Sequence, residues 1–279
     1  MLHALALTLP SPSSPEIFSA GPFTLRYYGL CIALGIAVAT WLTARELKRK
    51  GYDSVLALDA LFFIVPPGFV GARVYHVLTD YQLYANDPIP GVFEVWNGGL
   101  GIYGAVIGGF LGLLLFARVR GISALDFADA AAPGVVLAQA IGRWGNYFNQ
   151  ELFGRPSDLP WALEISSRNR PPGYTDVTTF HPTFLYESIW NVLVCLTLRF
   201  VARRFANRLK NGDILLLYVC LYSVGRFFVE TLRIDPAFLI GDFRGNLFVA
   251  AILALTFALM LFLRHAGTGR PPRKRPAGD

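Results

Sequence analysis

Charged residues are scarce in this sequence. They make up 16% of its 279 residues, whereas 54% are hydrophobic, and the mean hydropathy is positive. A chain with so little charge and so much apolar surface is typical of a multi-span membrane protein and not of a soluble enzyme. The formal net charge of +6 does not indicate a nucleic-acid partner, because the basic residues follow the loops between apolar stretches.

Cysteine and histidine are also rare. The three cysteines, Cys31, Cys195 and Cys220, all lie inside apolar stretches. We therefore expect neither a disulfide nor a cysteine-based metal site. The four histidines are scattered, and no group of Asp, Glu and His has the spacing of metal ligands. The sequence predicts no metal and no cofactor.

Long apolar stretches are what the chain has in abundance. About 20 apolar residues are needed to cross a bilayer. Seven stretches reach or approach this length: 24–43, 57–78, 98–117, 126–147, 183–201, 213–232 and 245–263. The sequence therefore predicts an all-α, polytopic membrane protein with seven transmembrane helices, forming a single integral-membrane domain over residues 1–279.

Basic residues are concentrated in one set of alternating connections. The connections 44–56, 118–125, 202–212 and 264–279 contain 15 Lys and Arg, whereas 1–23, 79–97, 148–182 and 233–244 contain 5. Because positive loops stay in the cytoplasm, the amino terminus is predicted outside and the carboxyl terminus inside. The apolar run 2–9 lacks a basic start, which favours an outer amino-terminal arm (1–23) over a cleaved signal. Segment 148–182 becomes an outer-face loop region, and 264–279 a basic cytoplasmic tail that contacts anionic lipid.

Polar residues inside the predicted spans collect near the outer ends of six of them. They are Tyr28, Arg73, His76, Tyr103, Gln139, Arg143, Asn146, Tyr186, Glu187, Arg226 and Glu230, with His181 just before the fifth span. Polar and ionisable groups are costly in hydrocarbon and mark functional sites by default. We therefore expect one site in the outer leaflet.

The segment Gly142–Gly154 is the most informative part of the chain. At spacings of three and four residues, one helical face carries Gln139, Arg143, Asn146 and Tyr147. A planar guanidinium holds two phosphate oxygens at once, so this face suits an anionic headgroup. The alternative is that Arg143 pairs with Glu151 or Glu230 and only holds helices together.

The predicted sixth span carries a second polar stripe. Every fourth position is polar, at Tyr218, Tyr222, Arg226 and Glu230. Such a stripe needs a polar cavity or a facing partner. Arg226 is expected to contact phosphate, with Glu230 in support. Alternatively, Arg226 and Glu230 satisfy each other as an i,i+4 pair.

The third and fifth predicted spans each begin with an informative segment. Gly104, Gly108 and Gly112 recur every four residues, the pattern of close helix packing, and the glycines before Tyr103 allow non-helical backbone beside a cavity. At the start of the fifth span, Pro182 suits the first position of a helix. The neighbouring Tyr186 and Glu187 either support other side chains through hydrogen bonds or contact substrate.

Together these residues resemble the bacterial prolipoprotein diacylglyceryl transferases. The resemblance extends from Ile17 to Arg233 and centres on Gly142–Gly154. It implies an enzyme of the bacterial plasma (inner) membrane with seven spans and an outward amino terminus. Such an enzyme transfers the diacylglyceryl group of phosphatidylglycerol to the lipobox cysteine of a preprolipoprotein, where the signal peptide ends. The product is a thioether, glycerol phosphate is released, and lipoprotein maturation begins.

The resemblance also implies roles for individual residues. Arg143 and Arg226 match headgroup-binding and catalytic positions, and the other matching positions are Tyr28, Asn146, Glu151, Gly154 and Glu230. The predicted catalytic set is Arg143, Arg226, Tyr103 and Glu151. The predicted substrate-binding set is Tyr28, Asn146, Gly154, Gly99, Glu230 and His181.

Tyr103 departs from part of the family. Some members carry a histidine there, proposed as the base for the thiol. A free tyrosine titrates near 10 and a free cysteine near 8.5, so neutral Tyr103 is a poor proton acceptor at pH 7. We expect Tyr103 to orient the headgroup, the positive field to promote the thiolate, and the proton to pass to the departing phosphate or to Glu151.

Two other protein classes remain as alternatives. A secondary transporter binds its substrate near mid-membrane and often has two related halves, whereas these polar groups lie near one face and no repeat is visible. A non-enzymatic scaffold has no need of two arginines and a Gly/Asn-rich segment at one depth.

Overall fold

A computed structural model describes residues 8–21, 23–84, 88–95 and 98–266. Parts of the segments discussed above lie outside these residues: positions 1–7 and 22 of the amino-terminal arm, Trp96, Asn97, and the basic tail from position 267 onward. The described chain is mostly helical, which confirms the predicted class in its main feature.

The helices follow the apolar stretches of the sequence. They are α1 Tyr27–Arg49, α2 Leu56–Thr79, α3 Pro88–Phe93, α4 Ile102–Arg120, α5 Ala124–Asn149, α6 Thr183–Arg204, α7 Asp213–Glu230 and α8 Gly245–Ala266. Apart from the short α3, each corresponds to one predicted stretch. Several extend beyond it, because charged residues at helix ends continue the backbone hydrogen bonding without interrupting the apolar part.

Six of the described helices are long and apolar enough to cross a membrane, namely α1, α2, α4, α5, α6 and α8. A multi-pass membrane protein is therefore the architecture that fits the chain. The remaining long helix, α7, has 18 residues. It includes three charged residues, Asp213, Arg226 and Glu230.

In the described part of the chain, three small antiparallel hairpins accompany the helices, which the all-α prediction does not include. They pair β1 Glu16–Ala20 with β2 Phe23–Arg26, β3 Leu163–Glu164 with β4 Thr179–Phe180, and β5 Leu239–Ile240 with β6 Phe243–Arg244. Gly21 and Gly241 have positive φ values of 59° and 60° at two of the turns, a conformation that glycine adopts without steric cost. The strand β2 occupies the start of the first predicted span.

The chain divides into two compact units, residues 39–134 and residues 1–38 with 135–279. In the unit 39–134, α2 and α4 pack closely through glycine. A Cβ atom added to Gly104, Gly108 or Gly112 would lie 2.0–2.1 Å from a backbone oxygen of α2. The predicted packing role of these three glycines is thus confirmed, because any larger residue would force the two helices apart.

The unit of residues 1–38 and 135–279 has a small apolar core beneath the β3–β4 hairpin. Its buried members are Phe153, Leu163, Ile165, Phe180 and Phe184. Leu9 joins this core, and its backbone hydrogen-bonds to Ala162 and Glu164. The core holds the segment after α5 against the start of α6.

Candidate functional site

Arg143 of α5 and Arg226 of α7 meet on the carboxylate of Glu187 in α6. Arg143 Nη2 lies 2.7 Å from Glu187 Oε2, and Arg226 Nη1 lies 3.3 Å from Glu187 Oε1. The Glu187 side chain is 6% exposed, whereas each arginine side chain is 19% exposed. We call these three residues the Glu187 cluster. It places the two predicted phosphate-binding arginines side by side.

The guanidinium groups of this cluster retain hydrogen-bonding capacity. An arginine has five N–H donors. Arg143 additionally donates from Nη1 to Asn146 Oδ1, at 3.4 Å, and Arg226 donates from Nη2 to Glu230. These contacts use only part of each guanidinium, so further N–H groups are available to the oxygens of an anion.

Glu230 connects the Glu187 cluster to the start of α8. Its side chain is fully buried. Oε2 pairs with Arg226, and Oε1 accepts from Arg244 Nε at 2.6 Å and from Asn246 Nδ2 at 3.1 Å. The i,i+4 pair of Arg226 and Glu230, which the sequence offered as a structural alternative, is therefore present. It coexists with the contact between Arg226 and Glu187.

Asp235 continues this polar network after α7. Its Oδ1 lies 2.6 Å from Arg233 Nε, and its Oδ2 lies 3.2 Å from Arg244 Nη2. Burial alone would raise the pKa of Asp235, but the Arg233 hydrogen bond and the two guanidinium charges outweigh it and lower that pKa. The carboxylate is therefore ionised at neutral pH.

The network as a whole is rich in positive charge. Its arginines are Arg143, Arg226, Arg233 and Arg244, and its carboxylates are those of Glu187, Glu230 and Asp235. Four cations thus face three anions. The exposed Glu151 carboxylate, which reaches Arg143 through Asn146, is a fourth anion at the edge of this network. The partly buried arginines nevertheless favour an anionic ligand, because their charge is screened less there than at the surface.

Asn146 links Arg143 to Glu151. Besides accepting from Arg143, it donates from Nδ2 to Glu151 Oε1 at 2.7 Å. Gln150 and Leu152 on either side of Glu151 have positive φ values of 52° and 58°, which is uncommon for residues other than glycine. This turn after α5 directs the exposed Glu151 carboxylate back toward Asn146. Arg143 therefore contacts Glu187 directly and Glu151 only through Asn146.

At Gly154, the segment after α5 crosses the backbone near His181 and Leu232. Its N–H donates to the carbonyl of His181 at 3.0 Å. An added Cβ would lie 2.8 Å from His181 Cβ and 3.1 Å from the oxygen of Leu232. Close packing therefore explains why residue 154 is a glycine.

His181 and Tyr28 lie in the same unit as the Glu187 cluster. His181 Nδ1 is 3.2 Å from Tyr186 Oη. Burial, followed by the charge of Arg155, lowers the pKa of His181, so its imidazole is neutral at pH 7. The Tyr28 ring covers Gly145 of α5, where an added Cβ would lie 2.4 Å from its Cδ2.

Tyr103 and Gly99 belong to the unit 39–134. Tyr103 is 54% exposed, and its ring centroid lies 5.7 Å from that of Tyr75. Gly99 has a φ of 78°, which confirms non-helical backbone before α4. Arg73 holds this backbone by donating to the carbonyls of Gly98 and Gly99, at 2.7 and 2.9 Å.

An apolar cavity of about 280 Å³ lies between α6 and α7. It is lined by Tyr186, Trp190, Gly225, Phe228, Val229 and Leu232. Tyr186 and Gly225 are the sequence neighbours of Glu187 and Arg226. Gly225 also allows Trp190 to cross α7 closely, since an added Cβ would lie 2.2 Å from its ring. The Glu187 cluster therefore has an apolar slot beside it.

The sequence missed some members of this network. The sequence leaves Glu187 open between two roles, and it does not single out Arg244, Asp235 or Asn246. A basic residue in a predicted outer segment that is otherwise poor in positive charge was the only available signal for Arg244. Among the described residues, no group of three or more His, Cys, Asp or Glu has the arrangement of a metal site.

Comparisons with known proteins give a consistent result. A family model described as prolipoprotein diacylglyceryl transferase matches residues 15–263. A Frankia alni protein named phosphatidylglycerol–prolipoprotein diacylglyceryl transferase is 47% identical over 274 residues, covering 96% of this chain and 71% of that protein. Proteins of the same name from Paenarthrobacter aurescens and Cutibacterium acnes are 46% and 44% identical. These matches cover 91% and 97% of this chain, and 82% and 92% of the relatives.

Proposed function

Since this chain belongs to the prolipoprotein diacylglyceryl transferase family, we propose that it transfers the diacylglyceryl group of phosphatidylglycerol to prolipoproteins. The acceptor is the thiol of the lipobox cysteine. The family match over residues 15–263 and the names of relatives at 44–47% identity support the reaction. The Glu187 cluster is the observation that supports its location on this chain.

Arg143 and Arg226 bind the phosphate of phosphatidylglycerol. This role is supported by their convergence on one carboxylate, whose two oxygens have a spacing and charge comparable to two phosphate oxygens. Glu187 holds the guanidinium groups in position when no lipid is bound. It also reduces the repulsion between them, while their remaining N–H groups receive the headgroup.

The transfer replaces a carbon–oxygen bond by a carbon–sulfur bond. The cysteine thiolate attacks the carbon of the diacylglyceryl group that is bonded to the phosphate oxygen. The bond between this carbon and that oxygen breaks, and glycerol phosphate leaves with the bonding electron pair. Negative charge grows on the leaving oxygen as the bond breaks. Arg143 and Arg226 stabilise that charge in a site whose dipoles are already oriented, which is where electrostatic catalysis is strongest.

The thiol loses its proton near the same positive charges, which favour the thiolate. Glu151, or the departing phosphate, accepts the proton, and Asn146 holds Glu151 near Arg143 for this purpose. Tyr103 orients the headgroup with its hydroxyl group and Gly99 allows the backbone near it to turn. The remaining contacts with the two substrates come from Tyr28, Gly154, Glu230 and His181.

The apolar cavity beside the Glu187 cluster receives part of an acyl chain. Its lining is almost entirely hydrophobic, and it adjoins α6 and α7 next to Glu187 and Arg226. A lipid whose phosphate lies on the two arginines has its acyl chains on the membrane side of the headgroup. Trp190 over Gly225 forms the wall of this slot.

The enzyme crosses the bacterial inner membrane seven times, with α7 as the additional span. Its charged residues are paired, Arg226 with Glu187 and Glu230, and Asp213 with Arg264 and His265. This makes the crossing feasible, because paired charges facing protein are tolerated in a membrane. The distribution of Lys and Arg supports an outside amino terminus and a cytoplasmic carboxyl terminus. The whole chain then acts as one transferase domain, with segment 148–182 as an outer-face region that admits the prolipoprotein.

A transfer assay tests the reaction and the site together. Purified protein in detergent is incubated with headgroup- and acyl-labelled phosphatidylglycerol and a lipobox peptide, and the thioether product and glycerol phosphate are quantified. Wild type should form both in equal amounts. The double variant Arg143→Gln/Arg226→Gln should form neither, while Arg45→Gln/Arg118→Gln, with the same loss of charge, should retain activity. Equal activity of both double variants would place the headgroup site elsewhere.

A further inference from the structure

The carboxyl end of α6 begins a basic segment, Arg203 to Arg208, that contains no acidic residue. No Asp or Glu occurs between Glu187 and Asp213, whereas Arg203, Arg204 and Arg208 lie close together. Asp213 itself is buried and engaged by Arg264 Nε at 2.9 Å and by His265 Nε2 at 2.8 Å. It therefore does not neutralise Arg204 or Arg208.

These arginines line a cavity. Its volume is about 240 Å³, and its lining consists of Arg203, Arg204, Phe205, Ala206, Asn207 and Arg208. The backbone turns there: Phe205 N donates to Val201 O at 3.0 Å, and Arg208 N donates to Phe205 O at 2.8 Å. The turn brings cations from before and after Phe205 around one space. Arg204 and Arg208 form no ion pair with a carboxylate of the described residues.

The lining selects an oxyanion. Guanidinium groups bind two phosphate oxygens in a fork, and the Asn207 amide adds a further donor. A space of about 240 Å³ is below the usual range for drug-sized ligands, roughly 300 Å³ and above. All six lining residues are exposed, so the space is open to solvent and has room for a compact group such as a phosphate.

The surroundings suit a lipid as the carrier of that phosphate. Phe200 and Phe205 are exposed, and their ring centroids lie 6.4 Å apart beside the cavity. Phe200 belongs to α6, which is apolar enough to cross a membrane. A phosphate in the cavity would thus have apolar side chains next to it on the membrane side, where acyl chains lie.

This cavity is separate from the Glu187 cluster. Both are on α6, but Glu187 lies in its first turns and Arg204 is its last residue. At 1.5 Å per residue, the helix separates them by roughly 25 Å, close to the thickness of the hydrocarbon core. One ligand cannot occupy both places.

We infer that residues Arg203 to Arg208 form a second anion site, which binds the phosphate group of a phospholipid at the membrane surface opposite the Glu187 cluster. Its ligand is an anionic phosphate group, from a lipid headgroup or from free phosphate. The site anchors the end of α6 at that surface. It is independent of the transfer reaction, so loss of one does not imply loss of the other.

The test uses the purified full chain in detergent and native mass spectrometry. The probes are dihexanoyl phosphatidic acid, dihexanoyl phosphatidylcholine as zwitterionic reference, and inorganic phosphate. The variant Arg204→Gln/Arg208→Gln is compared with Lys48→Gln/Arg118→Gln, which removes the same charge from exposed positions outside the cavity. Binding at the Glu187 cluster is common to all three proteins and cancels in the comparison.

We expect the dissociation constant for phosphatidic acid to rise about 10- to 30-fold in Arg204→Gln/Arg208→Gln, consistent with two lost basic contacts, and less than about twofold in the control. Arg204→Lys/Arg208→Lys, which keeps the charge, should lie between, and equal thermal unfolding excludes misfolding as the cause. The proposal is wrong if Arg204→Gln/Arg208→Gln and Lys48→Gln/Arg118→Gln lose the same affinity for phosphatidic acid. It is also wrong if the wild type binds phosphatidylcholine as tightly as phosphatidic acid. Displacement of the lipid by millimolar inorganic phosphate assigns free phosphate as the ligand; without displacement the lipid is the ligand.

Discussion

Arg143 and Arg226 share the two oxygens of one buried carboxylate. Three helices contribute to this arrangement, with Glu187 between the two cations at 2.7 and 3.3 Å. Two like charges at such close range destabilise each other unless an anion lies between them. The fold therefore brings the two guanidinium groups together on one carboxylate.

Removing the carboxylate should disrupt this pair. We expect Glu187→Gln to lower the transfer rate by about 100-fold, because the two arginines then repel each other and leave their positions, and a misplacement of 1 Å costs about that factor. Steady-state kinetics with labelled phosphatidylglycerol measures the change. Glu164→Gln, at an exposed carboxylate, serves as control and should be near wild type. A Glu187→Gln enzyme with wild-type kcat and KM would show that Glu187 does not position the arginines.

Replacing Arg143 by lysine tests the geometry of the phosphate contact. Lysine keeps the charge but not the planar fork. Loss of one charge-assisted hydrogen bond, about 1.5–3 kcal/mol, should reduce kcat/KM for phosphatidylglycerol by roughly 10- to 150-fold. The exposed substitution Arg118→Lys provides the comparison. Full turnover of Arg143→Lys would mean that charge alone suffices.

Tyr103→Phe should have a modest effect. If Tyr103 orients the headgroup through one neutral hydrogen bond, its loss costs about 1 kcal/mol, or about fivefold in kcat/KM. The pH dependence of kcat should keep its shape, because Tyr103 is not the proton acceptor. Both quantities come from one assay over a range of pH. Abolished thiol alkylation with normal phosphatidylglycerol binding would contradict the orienting role.

Gly154→Ala should destabilise the protein. The new methyl group would lie 2.8 Å from His181 Cβ, and overpacking of this kind typically costs about 1–3 kcal/mol. Gly142→Ala is a matched control, since a Cβ at Gly142 has no neighbour within 4 Å. Thermal unfolding in detergent should show a lower midpoint for Gly154→Ala only. Equal midpoints would mean that the two segments at Gly154 separate without cost.

His181 should make stability depend on mildly acidic pH. Its pKa is below the usual value in the folded protein, through burial and the charge of Arg155. The unfolded chain therefore binds the proton first, so this contribution to stability is complete above about pH 6.5 and decreases as the pH falls toward the folded pKa. His181→Asn should remove that part of the decrease. Thermal unfolding midpoints of the wild type and of His181→Asn, each measured at pH 7.5 and 5.5, test this prediction. The same decrease of the midpoint in both proteins would exclude His181 as its source.

Local features were predictable from the sequence because they depend on residues close along the chain. The apolar stretches gave the long helices, and the i,i+3 spacing of Arg143 and Asn146 gave their observed contact. The repeat of Gly104, Gly108 and Gly112 indicated a packing face that α2 then fills. The short hairpins were not predicted, because two- to five-residue strands have too few residues for a clear periodicity.

The sequence by itself determined the family and the helical architecture, and it singled out Arg143 and Arg226 as candidates, since each of these is expressed in a local pattern. Only the tertiary structure decided that Glu187 joins Arg143 to Arg226, and that Arg244 and Asn246 satisfy the buried Glu230. These partners come from different helices, and charge alone does not specify which anion meets which cation. That choice depends on how α5, α6, α7 and α8 pack, because a buried charge is stable only where the packing places an opposite charge within hydrogen-bonding distance.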